Sequence, residues 1–139
     1  MSPKGKVRNV GMRGRPHKGR RVVVVDGDGA VRESLTFLLE TAGYAVTTHA
    51  SGPECLAGFN PDATLCLVVD HLLPQMTGLE LLEELRRRGV QTPAVLMLET
   101  PAPDLRHRAA QQGIARVLSK LDVESELLQF VADAARSNP

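Results

Sequence analysis

Three charged residues stand at the ends of apolar runs, and their types suit one piece of chemistry. Asp70 closes the run Leu65-Cys66-Leu67-Val68-Val69. Asp26 and Asp28 follow the run Val22 to Val25, and Lys120 follows the short run around Val117 and Leu118. Runs of this kind read as strands buried on both faces. In open α/β sheets the carboxyl-terminal edge is where ligands bind, so strands that each end in a charge bring those charges to one place. Two carboxylates and one ammonium gathered there suit a divalent cation and a phosphoryl group. After Asp70 comes His71-Leu72-Leu73-Pro74-Gln75-Met76-Thr77-Gly78, a tight loop ahead of a helix.

The elements that must position these residues alternate along the chain. Strands are predicted at Val22 to Val25, Tyr44 to Thr48, Leu65 to Asp70, Pro93 to Leu98 and Ala115 to Ser119. Between and after them, apolar residues recur at helical spacing. Ala30 to Ala42 carries Val31, Leu35, Leu38 and Leu39 and closes at Gly43. Pro53 to Gly58 is a short helix with Ser51 as its cap. Thr77 to Arg88 carries Leu79, Leu81, Leu82 and Leu85, ends in three arginines and stops at Gly89. Asp104 to Gln112 is weakly amphipathic, and Asp122 to Arg136 puts Val123, Leu127, Leu128, Val131 and Ala134 on one face. Five strands alternating with five helices predict a parallel sheet with helices on both faces.

Composition narrows the class. The 139 residues suffice for one ordinary domain, and 42% are apolar, so the chain should fold. Aromatic residues are only 3%, so the core must come from Val, Leu, Ile and Ala. No apolar run approaches the roughly 20 residues that span a membrane. The basic start lacks the apolar middle of a secretory signal. Cys55 and Cys66 are not in CxxC spacing, Cys66 reads as a core residue, and a cytoplasmic protein is expected. The net charge of +1 hides an asymmetry. Residues 1–21 hold eight basic residues and no acid, whereas the rest hold 9 basic and 16 acidic residues. The tail, residues 1–20, reads as disordered. It is either a solvated extension or a weak anchor for nucleic acid; no aromatic residue interleaves its charges to stack on bases.

The chain from about Arg21 to Ser137 resembles the receiver domain of two-component response regulators. The stretches that carry the resemblance are VVVVDGDGAVRESL, CLVVDHLLPQMTGLELLEEL and the lysine of VLSKLD. The resemblance implies a flavodoxin-like (βα)5 sheet, doubly wound and parallel, with strand order 2-1-3-4-5. It implies that Asp70 accepts a phosphoryl group from a histidine kinase or phosphotransfer protein, and that Lys120 pairs with the phosphoryl oxygens. It implies Mg²⁺ held by Asp26, Asp70 and the backbone carbonyl of Leu72. Such a domain is a signalling module rather than an enzyme, beyond its own phosphoryl transfer and hydrolysis. The chain stops after the fifth helix, so a stand-alone receiver with no output domain is expected, acting through an unidentified downstream protein.

Four positions depart from the family pattern. The family's second acid after the first strand, a direct metal ligand, falls on Gly27. Asp28 lies one residue further and could reach in, helped by Gly27 and Gly29. The switch hydroxyl falls on Leu98, with Thr100 two residues on. The switch aromatic falls on Val117. The proline after the lysine falls on Leu121, where a cis peptide would cost about 3 kcal/mol, so a trans peptide and an altered loop are expected. Asp70, Asp26 and Lys120 favour a phosphoryl acceptor. Gly27, Leu98, Val117 and Leu121 favour a degenerate receiver that binds a partner without phosphorylation. Its partner face would be the fourth helix, fifth strand and fifth helix, with Arg106, His107, Arg108 and Arg116. Nucleic-acid binding through the tail is the least supported reading. His71 is expected to be an exposed loop residue beside Asp70.

Overall fold

The computed structural model describes residues 19–100 and 102–137. The predicted basic tail therefore lies outside the described residues, apart from Gly19 and Arg20. Five strands form one parallel sheet: β1 (Arg21–Val25), β2 (Val46–His49), β3 (Thr64–Asp70), β4 (Ala94–Leu98) and β5 (Arg116–Ser119). Their order is β2-β1-β3-β4-β5, as expected. The helices are α1 (Gly29–Thr41), α2 (Gly52–Gly58), α3 (Gly78–Arg87), α4 (Pro103–Gln111) and α5 (Val123–Ser137).

The valine and leucine runs produce this sheet because both of its faces are covered. Alternate strand residues enter two separate apolar layers. Val22, Val24, Val68 and Met97 pack with Leu35 and Leu39 of α1 and with Leu127, Phe130 and Val131 of α5. Val23, Val25, Leu67, Val69 and Leu96 pack with Cys55 of α2, with the leucines of α3 and with Ala109 of α4. β3 is buried at every position, as the continuous apolar run predicts. Both cysteines are free and buried, and burial pushes the Cys66 thiol up to about 12, so it is a core group without nucleophilic character.

Several boundaries move. β2 begins at Val46 rather than Tyr44, because the Tyr44 amide still donates to the Leu39 carbonyl and closes the end of α1. A short 3-10 turn, Pro61–Ala63, precedes β3 and has no apolar periodicity to announce it. α3 is closed at its start by a capping box: the Thr77 hydroxyl accepts from the Glu80 amide, and the Glu80 carboxylate accepts from the Thr77 amide. It stops as predicted at Gly89, whose φ of +85° is the left-handed cap conformation. α4 is the weakest helix: it buries only Ala109 and has no side-chain cap. Arginines tether it instead. Arg86 of α3 donates to the Gln112 and Val90 carbonyls, and Arg108 pairs with Glu83.

Candidate functional site

Strand order decides which strand ends meet. β1 and β3 are neighbours at the centre of the sheet, and β4 separates β3 from β5. Asp26 leaves β1 and Asp70 ends β3, so their carboxylates stand side by side at the carboxyl-terminal edge. Both are buried, with 1% and 4% of their surface exposed. Lys120 leaves β5, where its amide donates to the Leu98 carbonyl at 2.8 Å and fixes the base of its side chain. From there its stem reaches past the end of β4. Its Nζ lies 3.1 Å from Asp26 Oδ2 and 3.2 Å from Asp70 Oδ2. The sequence-predicted trio of Asp26, Asp70 and Lys120 is therefore one cluster.

The backbone completes the cluster. Asp26 Oδ1 accepts the Asp28 amide at 2.9 Å, and the Leu72 amide lies 3.4 Å from Asp70 Oδ1. Asp26 Oδ2 is buried and accepts no aligned hydrogen bond; its contact with the Lys120 ammonium is electrostatic. Burial is the main cause that pushes the Asp70 carboxyl above its ordinary range, and the Asp26 charge adds to it. Lys120 pulls the other way without prevailing, because one ammonium is shared between two carboxylates. Burial acts to lower the Lys120 ammonium too, but Asp26 and Asp70 together hold it above its ordinary value.

The loop after Asp70 explains the Pro-x-Met-x-Gly signature. Gln75 takes φ of +75°, and the chain then folds back so that the Gly78 amide donates to the His71 carbonyl at 2.9 Å. A Cβ on Gly78 would lie 2.2 Å from the Asp70 carbonyl oxygen, so only glycine fits. Met76 closes over Gly52 at the start of α2.

The remaining candidates separate. Asp28 is exposed and caps α1, its Oδ1 accepting the Ala30 amide at 2.9 Å. A Cβ on Gly27 would meet Pro74 Cδ at 3.3 Å, a tight contact, and the Ala50 carbonyl at 3.9 Å, so a side chain there requires Pro74 to give way slightly. Leu98 is buried and offers no donor beside Asp70; Thr100 is exposed. Val117 packs in the layer under α4 and its carbonyl accepts from Arg106. Leu121 is 92% exposed, and among the described residues no peptide bond is cis. Arg116 pairs with Asp133 of α5.

Two residues differ from the sequence reading or escape it. His71 is not an exposed loop side chain: it is half-buried, its Nδ1 is enclosed without a partner, and burial lowers its pKa against the pull of Asp70. Arg32 of α1 donates to the Asp26 carbonyl at 2.7 Å and so braces the end of β1. Its only sequence signal is a position one turn into a helix that starts directly after the acid. A cavity of about 270 Å³ opens beside Asp70, lined by His71, Leu98, Thr100, Ala102 and Leu105 among others. A larger groove, about 660 Å³, lies along α1 and contains none of the clustered charges.

Oxygen donors of this kind suit a hard divalent cation, and the under-satisfied Asp26 Oδ2 is the atom such an ion would engage. Asp26, Asp70 and the Leu72 carbonyl could hold it with water. The set is small: among the described residues no three acidic, histidine or cysteine side chains converge as a metal site.

Comparison with known proteins agrees with this fold. Residues 22–132 match the response regulator receiver domain family. The transcriptional regulatory protein FixJ of Azorhizobium caulinodans is 42% identical over 99 residues, covering 71% of this chain and 47% of that protein. The Regulator of RpoS of Escherichia coli is 33% identical over 124 residues, covering 87% of this chain and 33% of that protein. The crystal structure of FixJ-N superposes with a TM-score of 0.74 at 28% identity, covering 84% of this chain and 94% of that one. The chain thus spans less than half the length of these two curated relatives. From residue 22 to residue 132 it belongs to the response regulator receiver domain family.

Proposed function

We propose that this chain is a phosphoryl-accepting receiver module. Asp70 is the acceptor, and the supporting observation is its burial beside Asp26 with the Lys120 ammonium 3.2 Å away. A carboxylate oxygen of Asp70 forms the new bond to phosphorus. The bond from phosphorus to the donor's imidazole nitrogen, or to an acyl oxygen of a small phosphodonor, breaks and its electron pair leaves with the donor. Asp70 and the incoming phosphoryl group are both negative. Lys120 offsets that repulsion with a charge already in place, and the Leu72 amide steadies the attacking carboxylate. Mg²⁺, which receiver domains generally bind, would add charge neutralisation at Asp26 and Asp70.

The donor is a sensor histidine kinase or a histidine phosphotransfer protein. Leu72 and Leu121 support docking of such a protein: both are large and exposed, Leu121 directly after Lys120 and Leu72 two residues after Asp70. The output is contact with a further protein.

The test is intact mass after incubation with Mg²⁺ and acetyl phosphate, with Asp70→Ala alongside. A labile phosphoryl adduct on the wild type alone is the expected result. No adduct at high Mg²⁺ favours the second reading, a phosphorylation-independent binding module. The buried Leu98 supports that reading, since it cannot donate to a phosphoryl oxygen.

A further inference from the structure

We propose that Arg32 is a positioning residue of the acidic pocket: its guanidinium stands in for a strand amide that β2 does not supply, and so fixes the direction of the Asp26 carboxylate. The Asp26 amide donates to the His49 carbonyl at 3.1 Å, and His49 is the last residue of β2. Were the parallel ladder to continue, the Asp26 carbonyl would accept the amide of residue 51. There the chain has already left the strand, because Ser51 caps the start of α2. Arg32 Nη1 donates to the Asp26 carbonyl instead, at 2.7 Å.

The loop that follows makes this brace matter. Gly27 comes directly after Asp26 and Gly29 directly after Asp28, so the backbone between β1 and α1 has wide freedom of its own. The hydrogen bond that holds the carboxylate runs through the same loop, from the Asp28 amide to Asp26 Oδ1 at 2.9 Å. Rotation of the peptide after Asp26 would therefore move the carboxylate and its donor together. Arg32 prevents that rotation by tying the Asp26 carbonyl to a helix whose start is capped by Asp28. A planar, permanently charged fork of donors suits a fixed brace better than a single ammonium does. Its charge is not engaged elsewhere, since among the described residues Arg32 makes no ion pair. Gly29 leaves the guanidinium its path: a Cβ there would stand 3.3 Å from Arg32 Nη2, a tight contact.

The proposal rests on the phosphoryl-accepting reading of this pocket, but its first readout needs neither metal nor phosphodonor, so the two can fail separately. The full chain is labelled for nuclear magnetic resonance, and solvent exchange of single amides is followed beside the carboxyl carbon signal of Asp26. Arg32→Met keeps the stem and loses the donors; Arg32→Lys keeps one charged donor. In Arg32→Met the Asp28 amide should exchange about 10-fold faster, the usual worth of one hydrogen bond. The Asp26 carboxyl signal should shift, and the Leu39 amide in the buried middle of α1 should keep its protection. Arg32→Lys should recover part of both effects. Phe37→Ala, an exposed position on the same helix, should change neither.

The second readout is the rate of adduct formation with Mg²⁺ and acetyl phosphate, followed by intact mass. Arg32→Met should slow it by roughly 10-fold, within what a misplaced group costs, with Arg32→Lys in between. A wild type that takes no phosphoryl group sinks the reading of the site, and the resonance data still decide whether Arg32 positions Asp26. The proposal is overturned if Asp28 exchange and the Asp26 signal are unchanged in Arg32→Met. It is equally overturned if protection falls evenly along α1 and lysine restores nothing, which marks a merely structural residue. An adduct rate unchanged by Arg32→Met, on a wild type that does form the adduct, also overturns it.

Discussion

At the scale of single residues, Asp70 is held in a form that the fold disfavours. Burial and the Asp26 charge both oppose its ionisation. Its raised folded-state pKa means that protonation favours the folded state. The penalty is absent below the ordinary value of 3.8, where folded and unfolded chains are both protonated, and it appears as pH rises through the folded value. Asp70→Asn should therefore raise the melting temperature at pH 7, read by a thermal melt. The gain should disappear below pH 3.8; a loss of stability at pH 7 would contradict the argument. Gly78 works in the opposite direction. Its substitution by alanine sets a methyl against the Asp70 carbonyl at 2.2 Å, and backbone cannot yield cheaply. Urea denaturation should show a loss of about 3 kcal/mol or more. Asp70 and Lys120 were legible in the sequence because each ends an apolar strand. The bracing of Asp26 by Arg32 was not, because it depends on how sharply α1 turns back over β1. Nor was the enclosure of His71, which depends on the return path of the loop through Gln75.

At the scale of elements, stability is unevenly distributed. α3 carries four buried leucines and a reciprocal capping box, whereas α4 buries one alanine and hangs on arginine contacts. Thr77→Ala removes an acceptor for the Glu80 amide, and chemical denaturation should register a loss of about 1 kcal/mol. Amide hydrogen exchange should rank α4 as the least protected of the five helices and β3 among the most protected strands. Equal protection of α3 and α4 would contradict the packing argument. The sequence foretold this contrast, since Asp104 to Gln112 lacks an apolar stripe. It misplaced the start of β2 for a reason that periodicity cannot express. The Tyr44 amide remains hydrogen-bonded to the end of α1, and Tyr44 packs against the core before the strand begins. The helical stops at Gly43 and Gly89 were readable because their left-handed φ values suit glycine.

At the scale of the whole molecule, the sheet order was predictable from alternation and from the family resemblance together, and the two apolar layers follow from it. The expected gathering of two carboxylates and one ammonium is met by one lysine reaching across an intervening strand. That convergence joins positions 26, 70 and 120, which lie far apart along the chain. A polypeptide leaving the ribosome therefore makes both acids well before it makes the base. Until β5 docks, Asp26 and Asp70 have no ammonium between them. The three-charge cluster thus arrives with the final strand, and an interrupted translation product would carry Asp70 and Asp26 without the ammonium that stands between them.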